Sequence, residues 1–291
     1  MSDYKHVTDL VLAKLKQGVV QWHRPWNDHD HPRNLASGRR YRGINVFLLL
    51  GAGYEQPYWL TGACAIKKGG RVRQGEKPRF VVGFFAGTAR KQQGADPTAV
   101  PVLKSYEVYN LAQCEGIATP RRRRQKARPD PIARCAEVMD KMPLPPKIQH
   151  GGDAASYNPS LDRVRLPPLA CFDSAEEYYS TAFHELGHAT GHESRLRRRG
   201  ITALAGFGDT QYAREELVAE MAAVFLCSEA GIEMRTLDNS AAYLDSWMQR
   251  LRRDPRCLVI AATQAQTAVD WVMGRYVRKG QNGLADGKTR G

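Results

Sequence analysis

The chain has 291 residues, of which 42% are hydrophobic, with 43 Lys and Arg against 30 Asp and Glu and a formal net charge of +13. That length and apolar content predict a globular protein of two domains, each able to bury a core. No apolar run approaches the roughly 20 residues of a membrane helix and no signal-peptide pattern opens the chain, which argues against a membrane protein and predicts a cytoplasmic one.

The charge is unevenly spread. Residues 1–128 carry 23 Lys and Arg against 9 Asp and Glu, a net of +14, whereas residues 129–291 carry 20 against 21. A basic half joined to a neutral half predicts a polyanion partner for the first only. The six cysteines (Cys64, Cys114, Cys135, Cys171, Cys227, Cys257) are scattered with no C-x-x-C. They read as reduced, mostly buried thiols rather than a disulfide frame or a zinc ribbon.

In chain order, residues 3–17 read as a helix with Val7, Leu10, Val11 and Leu15 on its apolar face. Trp22 and Trp26 then flank Arg24 and Pro25, and a glycine-punctuated turn follows with Arg39, Arg40, Tyr41 and Arg42. A leucine-rich helix is predicted near 45–52. The next basic stretch carries Lys67, Lys68, Arg71, Arg73 and Lys77 among turn-forming glycines. It leads into a buried strand, Phe80 to Phe85, whose antiparallel partner is Leu103 to Asn110, across a polar loop or hairpin tip at 87–99. This half is therefore α+β.

Cations interleaved with aromatic rings suit single-stranded nucleic acid, because cations follow phosphates and rings stack on unpaired bases. Trp22, Arg24, Trp26, Arg39, Arg40, Tyr41, Arg42, Lys67, Lys68, Arg71, Arg73 and Lys77 are the candidate contacts. The competing reading places Trp22, Trp26 and Trp59 in the core. No helix-turn-helix or finger signature is present to read a base sequence.

Residues 119–131, with Arg121 to Arg124 between prolines, read as a basic linker. A helix is expected near 131–141, then a hairpin about the Asn158–Pro159 turn, with a peptide-pairing sheet edge near Val164 to Leu166. The segment Arg195 to Arg199 reads as a basic loop bordering a cleft, followed by a glycine-rich stretch at 200–210. Helices near 240–252 and 256–274 and a polar tail at 279–291 complete the chain.

The most informative stretch is His184-Glu185-Leu186-Gly187-His188, an H-E-x-x-H. On a helix the two histidines point the same way and can hold one zinc ion, with Glu185 placed to take a proton from water. Phe172, Asp173 and Ser174 suit a staple and cap before the helix, and Gly191 is placed to stop it. A third ligand is sought in the helical segment 211–227. Glu216 and Glu220 lie one turn apart there, matching a gluzincin pattern in which the first carboxylate binds the metal and the second orients a ligating histidine. Glu215 reads as part of a solvated acidic stripe. The alternative H-E-x-x-H-x-x-G-x-x-H pattern fails because position 194 is Ser. His192 then reads as lining the cleft or bonding a carbonyl. Tyr212, Arg214 and His192 are the candidates to stabilise an oxyanion. Imidazole ligands favour zinc, with another divalent ion such as manganese as the alternative.

Four motifs together, Tyr41-Arg42-Gly43-Ile44-Asn45, Tyr109-Asn110-Leu111-Ala112-Gln113, the H-E-x-x-H helix from Tyr178 to His192, and Glu215 to Glu220, resemble the ArdC family of plasmid antirestriction proteins over nearly the whole chain. The resemblance implies a basic α+β single-stranded-DNA-binding domain (1–118), of the kind shared with TraC-type primases, and a basic linker (119–131). A zincin-like α+β metallopeptidase domain (132–278) and a disordered tail (279–291) follow. It implies protection of incoming conjugative plasmid DNA from host type I restriction. Primase chemistry is not implied, since no polymerising domain fits. Glu220 stands where many gluzincins have Asp, which leaves open whether Glu216 or Glu220 reaches the metal. Two functions follow. In one, the protein coats single strands and the metal site is structural. In the other, a zinc endopeptidase is delivered to DNA and cleaves a protein, such as a host restriction enzyme.

Overall fold

The computed structural model describes residues 3–16, 31–50, 52–86, 101–120, 130–202, 210–232 and 251–277. Trp22, Arg24, Trp26, the arginines at 121–124, most of the helix expected at 240–252 and the tail lie outside the described residues.

Helix α1 (Asp3–Lys16) opens the chain and buries Val7 and Leu12. The main sheet has the order β1-β2-β5-β4, with β1 (Arg33–Asn34), β2 (Tyr58–Leu60), β4 (Arg79–Ala86) and β5 (Pro101–Asn110). β4 and β5 pair antiparallel from Arg79 opposite Val108 to Ala86 opposite Pro101. The strand pair expected from the sequence is therefore present. Helix α2 (Ile44–Leu50) crosses this sheet and is tied to it by Asn45, whose amide donates to the Val82 carbonyl and accepts from the Val82 N–H, both at 2.7 Å. A short helix α3 (Gly62–Lys67), capped by the Thr61 hydroxyl, precedes the turns that Gly69 and Gly75 make in the left-handed region, as the glycines suggested. Next to it, β3 (Arg71–Val72) pairs with β6 (Cys114–Glu115).

The second half begins with α4 (Pro131–Asp140), whose Asp130 cap and leading proline fix its start. A three-stranded sheet follows in the order β7-β9-β8, with β7 (Lys147–His150), β8 (Ser156–Asn158) and β9 (Arg163–Leu166). The hairpin about Asn158–Pro159 is present as β8 and β9. β9 is the central strand, however, so the edges of this sheet are β7 and β8 and not Val164 to Leu166. The parallel pairing of β7 occupies that side of β9.

Helices α5 (Ala175–Ala189), α6 (Arg199–Thr202), α7 (Thr210–Ala230) and α8 (Arg256–Val272) follow, and the described residues 251–253 are also helical. α7 is the central one. Every residue from Leu217 to Leu226 except Glu220 is buried, so the helix is buried nearly all round rather than along one apolar face. The cause is its surroundings, since α4, α5, α6 and α8 all pack on it.

One hydrophobic core joins the halves. Val7, Leu12, Ile44, Leu48, Val82 and Leu103 belong to the same buried cluster as Phe183, Leu186, Met221 and Leu258. α1 and α2 pack on α8, Thr8 donates to the Pro255 carbonyl at 2.9 Å, and the Gly43 N–H donates to Gln266 at 2.9 Å. Glu229, near the end of α7, faces His31 at 3.3 Å, Arg40 at 3.7 Å and Arg275 at 2.9 Å. Burial alone would raise the Glu229 carboxyl, but hydrogen bonds from His31 and Arg275 hold it far below the usual range.

Candidate metal centre

α5 starts as the sequence suggests. The Ser174 hydroxyl accepts from the Glu177 N–H, the Glu177 carboxylate accepts from the Asp173 N–H, and Phe172 packs edge-on against Tyr178. Fifteen residues of helix then carry His184 and His188 to one face. Gly187, between them, faces α7. A Cβ there would stand 3.0 Å from the Ala219 Cα and 3.2 Å from its carbonyl oxygen, so the helices meet at a separation that a side chain at 187 would widen by a few tenths of an ångström. Gly191 follows the end of the helix, but its role is space. It lies under Ile201 and Arg198, where a Cβ would meet atoms at 2.6 Å and 3.0 Å.

The close crossing brings three donors together. The two Nε2 atoms of His184 and His188 lie 3.1 Å apart, and the Glu216 oxygens lie 3.5 Å from one and 3.4 Å from the other. Donor atoms of all three residues fall within 4.8 Å of one another, a His–His–Glu cluster that could hold a divalent cation. Glu220 is elsewhere: its Oε1 stands behind His184, 3.5 Å from Nδ1. Burial alone would lower both imidazoles, yet the carboxylates outweigh it and raise His184 to about 10 and His188 to about 9. Burial would likewise raise Glu216, and hydrogen bonds from both rings hold it well below the usual range.

Glu185 is buried, which raises its carboxyl, while the two imidazoles pull the other way and the Tyr157 backbone N–H donates to it. It opens on a cavity of about 390 Å³ whose lining includes Ala155, Ser156, Pro159, Gly200, Ile201 and the three donor residues. β8 therefore forms one wall of this cavity.

Several sequence expectations need correction here. Glu215 is not part of a solvated stripe; it is 5% exposed and ion-paired with Arg198. Arg195 and Arg198 do not belong to an exposed basic loop. Arg195 is buried against Asp162, Tyr157 and the Ala189 and Leu144 carbonyls, and Arg198 against Glu215, Thr190 and the Gly187 carbonyl. Each needs several acceptors: the end of α5 supplies some, and Asp162, Tyr157 and Leu144 for Arg195, and Glu215 for Arg198, supply the rest. His192 bonds the Ser194 hydroxyl at 2.8 Å rather than lining the cavity. Arg214 points to Asp254 and Cys257 rather than to the donor cluster. The Tyr212 side chain lies outside the described residues.

In the basic half, Trp59 is fully buried and packs on Tyr54, a core residue as the competing reading held. Tyr41 is half-buried against the same cluster, with its phenol raised by burial and bonded by Asn34 at 3.4 Å. Arg40, Arg42, Arg71 and Arg73 are paired with Glu229, Asp270, Glu115 and Glu76 respectively. Arg39, Lys67, Lys68 and Lys77 are exposed and have no ion-pair partner among the described residues. The motif residues Asn45, Asn110 and Gln113 hold structure. Asn110 and Gln113 cap the turn after β5, and Gln113 also donates to Glu76 and the Lys77 carbonyl.

Comparison with known proteins accords with this arrangement. Residues 1–109 match the family model of the N-terminal domain of anti-restriction factor ArdC, and residues 141–264 that of a zincin-like metallopeptidase. The uncharacterized protein y4eC of Sinorhizobium fredii is 32% identical, with 92% of this chain matched to 91% of that protein. The DNA primase TraC of Escherichia coli is also 32% identical, but the 93% of this chain that is matched spans only 27% of that protein. The metal-free crystal structure of the antirestriction ArdC protein from the R388 plasmid superposes with a TM-score of 0.75 at 35% identity, covering 94% of this chain and 98% of that one. The Mn(II)-bound form of that protein superposes with a TM-score of 0.72. Matched along nearly its whole length in sequence and in fold, the chain belongs to the ArdC family of antirestriction proteins, with a TraC-related first half and a zincin-like second half.

Proposed function

We propose that this protein protects incoming plasmid DNA from restriction by binding single strands through its first half, and that its second half carries a divalent-metal centre. One juxtaposition carries the reading. A basic half that leaves Arg39, Lys67, Lys68 and Lys77 exposed is docked on helices that present a His–His–Glu cluster. His184, His188 and Glu216 are the proposed ligands. Glu220 positions His184, because its carboxylate faces the ring nitrogen turned away from the cluster. Two imidazoles and a carboxylate suit zinc and also accept manganese, the ion bound in the R388 relative.

The same centre has the parts of a peptide hydrolase. A bound divalent ion supplies Lewis acidity toward a carbonyl oxygen. Glu185, kept in place by the Tyr157 N–H, accepts a proton from water and returns it to the leaving amine. The free edge of β8 offers backbone groups to an extended peptide. Of the candidate oxyanion donors, Arg214 and His192 are engaged elsewhere.

The test is protection of unmodified plasmid DNA in a restricting host. Glu185→Ala is expected to protect within about twofold of wild type, whereas Lys67→Ala/Lys68→Ala/Lys77→Ala loses most protection. If Glu185→Ala abolishes protection while DNA binding persists, the endopeptidase reading replaces this one.

A further inference from the structure

Glu215 and Arg198 form a buried ion pair beside the donor cluster that the functional reading above leaves without a role. Buried pairs of this kind are poor stabilisers, since desolving two charges offsets most of their attraction. Their geometry therefore matters more than their energy. Arg198 Nε donates to both Glu215 oxygens, at 3.0 Å and 3.2 Å. The rest of its guanidinium donates to the Thr190 hydroxyl at 2.6 Å and the Gly187 carbonyl at 2.7 Å. These two acceptors belong to the last turn of α5, where a cation completes the helix end. Arg198 thus fastens a carboxylate of α7 to the turn that carries His188.

His188 supplies the second observation. Its Nε2 faces His184 and Glu216, so its Nδ1 points away from the cluster. Nδ1 is buried and has no hydrogen-bond partner at ordinary distance. The Glu215 Oε1 atom faces it at 3.6 Å. A histidine that offers Nε2 to a cation must carry its hydrogen on Nδ1, and that hydrogen requires an acceptor. A closure of a few tenths of an ångström makes Glu215 that acceptor. The arrangement repeats on the other ring, where Glu220 stands 3.5 Å behind the Nδ1 of His184.

We infer that Glu215, held by Arg198, is a positioning residue that fixes the tautomer and direction of His188 for metal binding. The inference rests on the proposed metal-ligand reading of His184, His188 and Glu216. α7 then supplies three carboxylates with three tasks: Glu216 toward the ion, and Glu215 and Glu220 behind one imidazole each.

The test is the affinity of the full-length protein for Zn(II), by competition with a chromophoric chelator, and for Mn(II), by the resonance signal of the free ion. In Glu215→Gln the single carbonyl oxygen is claimed by Arg198, and the amide NH2 is left facing Nδ1. Both ions are expected to bind 10- to 100-fold more weakly, the usual loss for such a partner. The paired variant Arg198→Met/Glu215→Leu removes both charges, leaves none unpaired, and is expected to bind as weakly as Glu215→Gln. It takes the place of Glu215→Gln should that variant fail to fold. A purely structural pair would change the melting temperature of the metal-free protein and leave both affinities unchanged. Affinities within twofold of wild type in a folded variant would overturn the inference and leave the metal reading intact. A wild-type chain that takes up neither ion would overturn both.

Discussion

At the scale of single residues, the donor cluster is a set of opposed tendencies. Burial disfavours the charged form of every group in it, yet His184 is raised to about 10 and His188 to about 9 because Glu216, Glu220 and Glu215 surround them. A histidine with a raised value keeps its proton at neutral pH, and a cation needs the lone pair which that proton occupies. Metal uptake at pH 7 should therefore release protons, and affinity should rise as the pH rises from 6 toward 9. The contribution of these imidazoles to metal-free stability runs the opposite way. It is complete below the ordinary histidine value of 6.5 and is lost as the pH rises through the raised values. Calorimetric titration with Zn(II) in buffers of different ionisation enthalpy measures the release directly. At least one proton per ion is expected, and none would contradict the protonated rings.

At the scale of elements, the site is a crossing of two helices. α5 carries His184, Glu185 and His188, and α7 carries Glu215, Glu216 and Glu220. Their separation is set by Gly187 against Ala219, where a Cβ would meet backbone atoms at 3.0 Å and 3.2 Å. Alanine is the better helix former by about 1 kcal/mol, so Gly187→Ala would stabilise an isolated α5. In the folded protein the clash prevails, because the opposing atoms belong to the backbone and cannot rotate away. We expect Gly187→Ala to destabilise the metal-free protein by about 1–3 kcal/mol, the usual cost of overpacking. It should also weaken Mn(II) binding by separating Glu216 from the imidazoles. Urea unfolding and metal titration of the same variant check both. Unchanged stability would mean that the crossing is looser than its geometry indicates.

At the scale of the whole molecule, the basic half and the metal half are packed as one body through α1, α2 and α8. DNA binding should therefore be measured on the full chain. The charge pattern separates two groups of cations. Arg71 and Arg73 are paired with Glu115 and Glu76, whereas Lys67, Lys68 and Lys77 have no ion-pair partner among the described residues. A cation that neutralises one phosphate of a single strand contributes about 0.7 to the slope of log affinity against log salt. Lys67→Ala, Lys68→Ala and Lys77→Ala should each flatten that slope by up to this amount, and Arg71→Ala should change it less. Fluorescence anisotropy with single- and double-stranded oligonucleotides over a salt series reads both the slope and the strand preference. Identical slopes for all four variants and wild type would remove this surface from the interface.

The sequence by itself determined whatever depends on spacing along one element. The H-E-x-x-H of α5, the Glu216–Glu220 spacing on α7, the β4–β5 pair, the β8–β9 hairpin and the excess of basic residues in the first half are all local patterns. Tertiary structure alone decided what depends on neighbours from elsewhere in the chain. Glu215 and Glu216 are adjacent and chemically identical, and only the packing of Arg198 and α5 against α7 gives one an arginine and the other two imidazole Nε2 atoms. Arg195 and Arg198 read as part of a basic loop at a cleft, and they are buried because the end of α5, Asp162 and Glu215 offer them acceptors. β9 became a central strand rather than an edge because β7 pairs with it in parallel, on the side that the β8 hairpin leaves open. The two halves look independent in composition, and they share a core because α8 presents apolar residues to α1 and α2. Local pattern sets which groups are present, while packing sets which of them lose water and therefore which must find partners.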